Sequence, residues 1–67
     1  MNKLNYRCRS KCIHRVFGQV ESTDYFCDRH SADECAKDVA NCIDIIGVVY
    51  VERWTGKEWK KLSETHI

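Results

Sequence analysis

Cys8-Arg-Ser-Lys-Cys12 and Cys27-Asp-Arg-His30 are two short pairs of sulfur and imidazole side chains, separated by fourteen residues. Thiolates and neutral imidazole are the donors that close a tetrahedral zinc site at about 2.0–2.3 Å, and two pairs divided by enough chain for one β-hairpin have a spacing that suits it. Four protein ligands leave no position for water, so Cys8, Cys12, Cys27 and His30 predict one structural Zn²⁺ and no catalytic metal. His14 is the rival ligand, but a Cys12-x-His14 pair would crowd the ion, and a strand residue pointing outward is the simpler reading. Cys35 and Cys42 are seven residues apart. On a helix that places them on one face roughly 10 Å apart, too far for a disulfide, and they read as core residues. No acid–base pair and no nucleotide-binding glycine motif is visible, which argues against an enzyme.

A second group of residues suits recognition. Tyr50, Arg53, Trp54, Lys57 and Trp59 fall within ten residues, next to Lys60 and Lys61. Trp, Tyr and Arg are the types most enriched in binding hot spots, so these five predict a protein-partner surface. The competing reading is single-stranded nucleic acid, since cations interleaved with rings also suit stacked bases, and Lys3, Arg7, Arg9, Lys11 and Arg15 surround the first cysteine pair. The simplest reading is that the tryptophans complete a small core.

Length and composition limit these alternatives. Sixty-seven residues predict a single domain (1–67) that buries too little apolar surface for comfortable stability, so a staple is expected. Five cysteines is an odd number for a disulfide framework, and the chain opens Met-Asn-Lys-Leu-Asn-Tyr-Arg without an apolar leader, which predicts a reducing, cytoplasmic setting and a metal staple. The longest apolar run, 45–51, is interrupted by Gly47 and is too short to span a bilayer as a helix. The net charge of +1 conceals a separation: residues 1–20 carry +5, residues 21–44 carry −5, and the remainder +1. An acidic segment repels phosphate unless it faces away from the site.

The elements that must position these residues can be read in order. The Cys8–Cys12 stretch predicts a tight knuckle, Ile13–Phe17 a first strand stopped by Gly18, Glu21–Asp24 a loop, and Tyr25-Phe26 a returning strand. Ala32, Cys35, Ala36, Val39, Ala40, Cys42 and Ile43 recur at three- and four-residue steps and mark a helix face. Its start is signalled by Asp28 and also by a Ser31-x-x-Glu34 capping box, which leaves two positions open. From Ile45 the chain is β-rich, with a turn at Thr55-Gly56-Lys57 and a short return strand from Glu58 to Leu62. Val49 and Val51 alternate with Tyr50, Glu52 and Trp54, so one face is expected to pack on the helix. Ser63–Ile67 reads as a frayed tail. The predicted class is a small zinc-stabilised α+β domain: zinc knuckle, β-hairpin and helix (6–43), then a C-terminal β-hairpin and tail (44–67).

Cys8-x3-Cys12, a hairpin, then Tyr-Phe-Cys27-Asp-x-His30 leading into an acidic helix resembles the treble-clef and zinc-ribbon-like modules of short bacterial and phage proteins. The resemblance covers residues 6 to about 43. It implies the same four ligands and, for a short phage-like protein, an adaptor or an inhibitor of a host protein; the wider knuckle and the C-terminal hairpin depart from the pattern.

Overall fold

The computed structural model describes residues 4–67. Its elements are β1 (Tyr6–His14), β2 (Gly18–Phe26), α1 (Arg29–Ala40), β3 (Ile45–Trp54) and β4 (Trp59–His66). The four strands form one antiparallel sheet in the order β2-β1-β3-β4. The helix covers one face of it, giving a two-layer α+β domain measuring 40 × 19 × 17 Å. No helix among the described residues is long and apolar enough to cross a membrane.

The expected knuckle at Cys8–Cys12 is instead the middle of β1. The stretch has a period of two: Cys8, Ser10 and Cys12 point inward and are buried, while Arg7, Arg9 and Lys11 take the intervening positions. Side chains alternate across a strand, so small inward residues and long cationic outward ones satisfy both faces without a metal turn. The Ser10 and Ser22 hydroxyls meet at 2.7 Å across β1 and β2, which partners the buried polar side chain at the centre of this face.

The Glu21–Asp24 loop expectation also gives way. These residues lie inside β2, an edge strand exposed along almost its whole length. With the helix reaching it only near Asp24 and Phe26, the strand has little need of an inward apolar period, and its polar residues misread as a loop. The turn lies earlier, at Arg15–Phe17, where His14 Nδ1 accepts from the backbone N–H groups of Val16 (3.0 Å) and Phe17 (3.2 Å). His14 thus caps a turn.

Of the two possible helix starts, Asp28 is the one realised. It is the N-cap; its carboxylate accepts from Ser31 N at 3.1 Å and from the Ser31 hydroxyl at 2.8 Å. Those bonds hold the Asp28 carboxyl below its ordinary range. The helix ends at Ala40, three residues before Ile43, which is 83% exposed beyond it. Ala32 is 0% exposed, and Ala36 is buried beside it on the same face. Two alanines four residues apart let the helix settle closely on Cys8, Cys12, Val49 and Val51, with Cys35 and Val39 at its margin.

The C-terminal hairpin forms with its expected turn, and Val49 and Val51 are the fully buried large side chains beneath the helix. A register shift after Val51 lets Leu62 reach the same core. The tail is not frayed: β4 runs to His66, Ile67 packs against the core, and Ile67 and Gly47 exchange backbone hydrogen bonds of 2.9 and 3.4 Å. Pairing of β1 with β3 joins the two predicted hairpins in a single sheet.

Candidate functional site

One face of the sheet has the helix; the other has no layer over it among the described residues. Alternation places Arg7, Arg9, Lys11 and Ile13 from β1 on this open face, Tyr25 from β2, Ile46, Val48, Tyr50, Glu52 and Trp54 from β3, and Trp59 and Lys61 from β4.

At one end, three rings form a cluster. Trp54 and Trp59 are cross-strand partners with centroids 5.5 Å apart and planes at 55°. Tyr25, from the far edge of the sheet, reaches Trp59 at 5.9 Å and 54°. Both are tilted arrangements favoured by the ring quadrupoles. Between these edges, the Arg7 guanidinium lies 4.2 Å from the Trp59 ring centre and donates through Nε to Glu52 Oε1 at 2.6 Å. Glu52 is buried, and its Oε1 is also 3.4 Å from Arg9 Nε. Two cations from the central strand β1 therefore converge on a single carboxylate from β3 beneath an aromatic roof. Next along the face, Tyr50 has Arg9 at 5.1 Å and Lys61 at 5.9 Å from its ring centre. His66 and Lys61 flank Glu64 at 3.0 and 3.3 Å and hold its carboxyl below the ordinary range. The opposite end is apolar, with a cleft of about 430 Å³ lined by Ile13, Ile45 and Ile46 and rimmed by Arg15 and Asp44.

The sequence-predicted partner residues divide accordingly. Tyr50, Trp54 and Trp59 come together on the open face. Arg53, between Glu52 and Trp54 on one strand, is directed to the other side, and Lys57 sits in the β3–β4 turn. Sequence reasoning missed Tyr25 as a cluster member and Glu52 as the centre of the ion pair, because both contacts depend on strand pairing. The signal that was available is the alternation of Arg7, Arg9 and Lys11. Lys3 lies outside the described residues.

The predicted zinc ligands are not brought together. Cys8 and Cys12 are 2% and 3% exposed on the inner face of one strand, where four residues span ~13 Å. Cys27 is exposed at the corner before the helix, and His30 points to solvent with Nε2 3.9 Å from Glu34. Among the described residues, no group of three or more His, Cys, Asp or Glu side chains is placed to hold a metal ion. Gathering Cys8 and Cys12 around one ion would require breaking β1 at the centre of the sheet.

No protein-family model matches this chain, and no curated protein or solved structure is significantly similar to it.

Proposed function

We propose that this is a non-enzymatic binding module that docks another protein on its open sheet face, with Tyr25, Trp54 and Trp59 as the anchor. The observation carrying this reading is the aromatic roof over the Arg7–Glu52 pair on a face that the fold leaves uncovered. Rigid rings beside a shielded ion pair have the composition of a hot spot. The half-buried Arg9 and the exposed Lys11 and Lys61 around the rings favour a partner that offers an apolar side chain flanked by carboxylates. Zinc held by Cys8, Cys12, Cys27 and His30 is supported by sequence spacing alone, and docking on this face does not require it.

Single-stranded nucleic acid is the second reading, favoured by the segregation of charge. Asp33, Glu34 and Asp38 belong to the helix layer and lie away from Arg7, Arg9, Lys11 and Lys61, whereas Glu21 stands opposite Lys11 on the open face. Against it, Arg7 already occupies one face of Trp59 and pairs with Glu52, which removes both a stacking surface and a free cation.

A photo-crosslinking amino acid at position 25, half exposed on the open face, tests the choice, with position 37 on the helix as control. The expected result is a discrete protein adduct from position 25 that is absent from position 37 and lost in Trp54→Ala. Trp54 is 37% exposed, so that substitution should cost no more than roughly 1–2 kcal/mol of stability, measured by urea unfolding. Equal adducts from both positions would count against the face. Salt-sensitive binding of short RNA or DNA, abolished in Trp54→Ala, would transfer the proposal to nucleic acid.

A further inference from the structure

Cys8 and Cys35 meet Asp24 from the two layers. Cys8 lies on the inner side of central strand β1, directly opposite Asp24 of β2, and opposed residues of antiparallel strands lie about 5 Å apart. Cys35, from the sheet-facing side of α1, brings its Sγ to 3.8 Å from Asp24 Oδ2. Cys35 packs against the buried cluster that contains Cys8, so both sulfurs lie beside that carboxylate. Closeness of the layers at this point follows from Ala32 and Ala36, whose side chains end at Cβ. The other sulfurs are elsewhere: Cys12 is further along β1, and Cys27 and Cys42 are exposed at opposite ends of the helix.

We propose that Cys8 and Cys35 are an oxidation site, forming a reversible intramolecular disulfide that fastens α1 to β1 when a low-molecular-weight disulfide is supplied. Cys35, only half-buried, is the point of entry. Its thiol loses a proton and attacks one sulfur of the reagent, giving a mixed disulfide and releasing the first reagent thiol. Cys8 then attacks the Cys35 sulfur, giving the Cys8–Cys35 bond and releasing the second. Both protein protons end on the released thiols, and the reagent takes up the two electrons that the cysteines lose.

The first step is slow and the second is favoured. Burial pushes the Cys8 thiol up to about 12, and burial together with the Asp24 charge also raises Cys35, so neither is a ready thiolate at neutral pH. Once Cys35 carries the reagent, Cys8 is already alongside, and closure becomes an intramolecular reaction between held groups.

The test uses the full chain with Cys27→Ser and Cys42→Ser, which removes the exposed competitors, incubated folded with oxidised glutathione. The expected product has lost two hydrogens, carries no glutathione, yields one peptide pair joined through positions 8 and 35, and melts roughly 10 °C higher, with dithiothreitol reversing all of it. Adding Cys35→Ser should abolish the internal bond. A lasting glutathione adduct at Cys35, a bond mapping to Cys12, or closure only after denaturation in urea would each overturn the proposal. The mapping on the chain that retains Cys35 decides the matter even if the Cys35→Ser protein folds poorly.

Discussion

Gly47→Ala is expected to leave little folded protein. Gly47 lies on β3 opposite Cys12 with φ +149°, and a Cβ there would meet the Lys11 carbonyl oxygen and come within 2.7 Å of Cys12 Cα. These are backbone atoms of the central strand, held on its other side by β2, so they cannot withdraw as a flexible side chain would. Gly47 also fastens Ile67 through two backbone hydrogen bonds, so a shift here releases the end of the chain from the core. Overpacking against immobile backbone, added to an unfavourable φ, costs about 3 kcal/mol or more. A domain of this length has on the order of 3–10 kcal/mol in total. Loss of the cooperative urea transition and of near-ultraviolet dichroism would show the effect. Gly56→Ala is the matched control: φ is +102° but nothing lies within 4 Å of the added carbon, so roughly 1 kcal/mol is expected. Equal behaviour of the two variants would mean that β1 and β3 do not approach as described.

The second large effect is expected at Glu52. Removing its carboxylate in Glu52→Ala takes the partner from Arg7, whose side chain is 16% exposed, and leaves Arg7 and Arg9 repelling each other on the same face of β1. Arg9 Nε is buried with no hydrogen bond of its own, so it depends on the nearby charge. Breaking a fully buried pair costs about 3–5 kcal/mol, and solvent reaching the arginines reduces this to roughly 2–3 kcal/mol. Glu52→Gln keeps an acceptor for Arg7 and should lose about half as much. Urea denaturation of both variants at low and high salt measures this. A Glu52→Ala protein within about 0.5 kcal/mol of the parent would show that the pair does not support the roof above it. The same loss should weaken partner capture, because Arg7 carries Trp59 on its guanidinium.

The parts of this fold that were readable in the sequence are those where one local period governs both faces of an element. The helix showed itself through Ala32, Cys35, Ala36 and Val39, and the C-terminal hairpin through Val49 and Val51 alternating with Tyr50, Glu52 and Trp54. Strand β1 carried an equally regular alternation, but Cys8 and Cys12 drew the reading toward metal. Cysteine is both a ligand and a small apolar residue, and spacing alone does not say which of these a given position uses. Strand β2 was misread for the opposite reason: a largely exposed edge has too little buried face to write a pattern into its residues.

The candidate site divides in the same way. Tyr50, Trp54 and Trp59 were found because they share one hairpin, and Arg53 was included by proximity although alternation turns it away. Tyr25 and Arg7 complete the cluster from two other strands. Their contacts depend on the order β2-β1-β3-β4, which no local segment encodes. Arg7, Arg9 and Lys11 did enter the sequence reading as a cationic run, and the strand gives that run a direction.

Cys8 and Cys12 pack the inner side of β1, which leaves the outer side of that strand to Arg7, Arg9 and the proposed partner. Cysteine-resolved labelling of the reduced, folded protein by a maleimide, with and without a metal chelator and read by peptide mass spectrometry, tests it most directly. Cys27 and Cys42, both exposed, should react at once, whereas Cys8 and Cys12 should stay protected until the whole domain unfolds, at the same rate with or without chelator. If the chelator instead releases Cys8, Cys12 and Cys27 to the reagent together, these sulfurs share a metal, β1 is not the strand described, and the binding face built on it does not exist in this form.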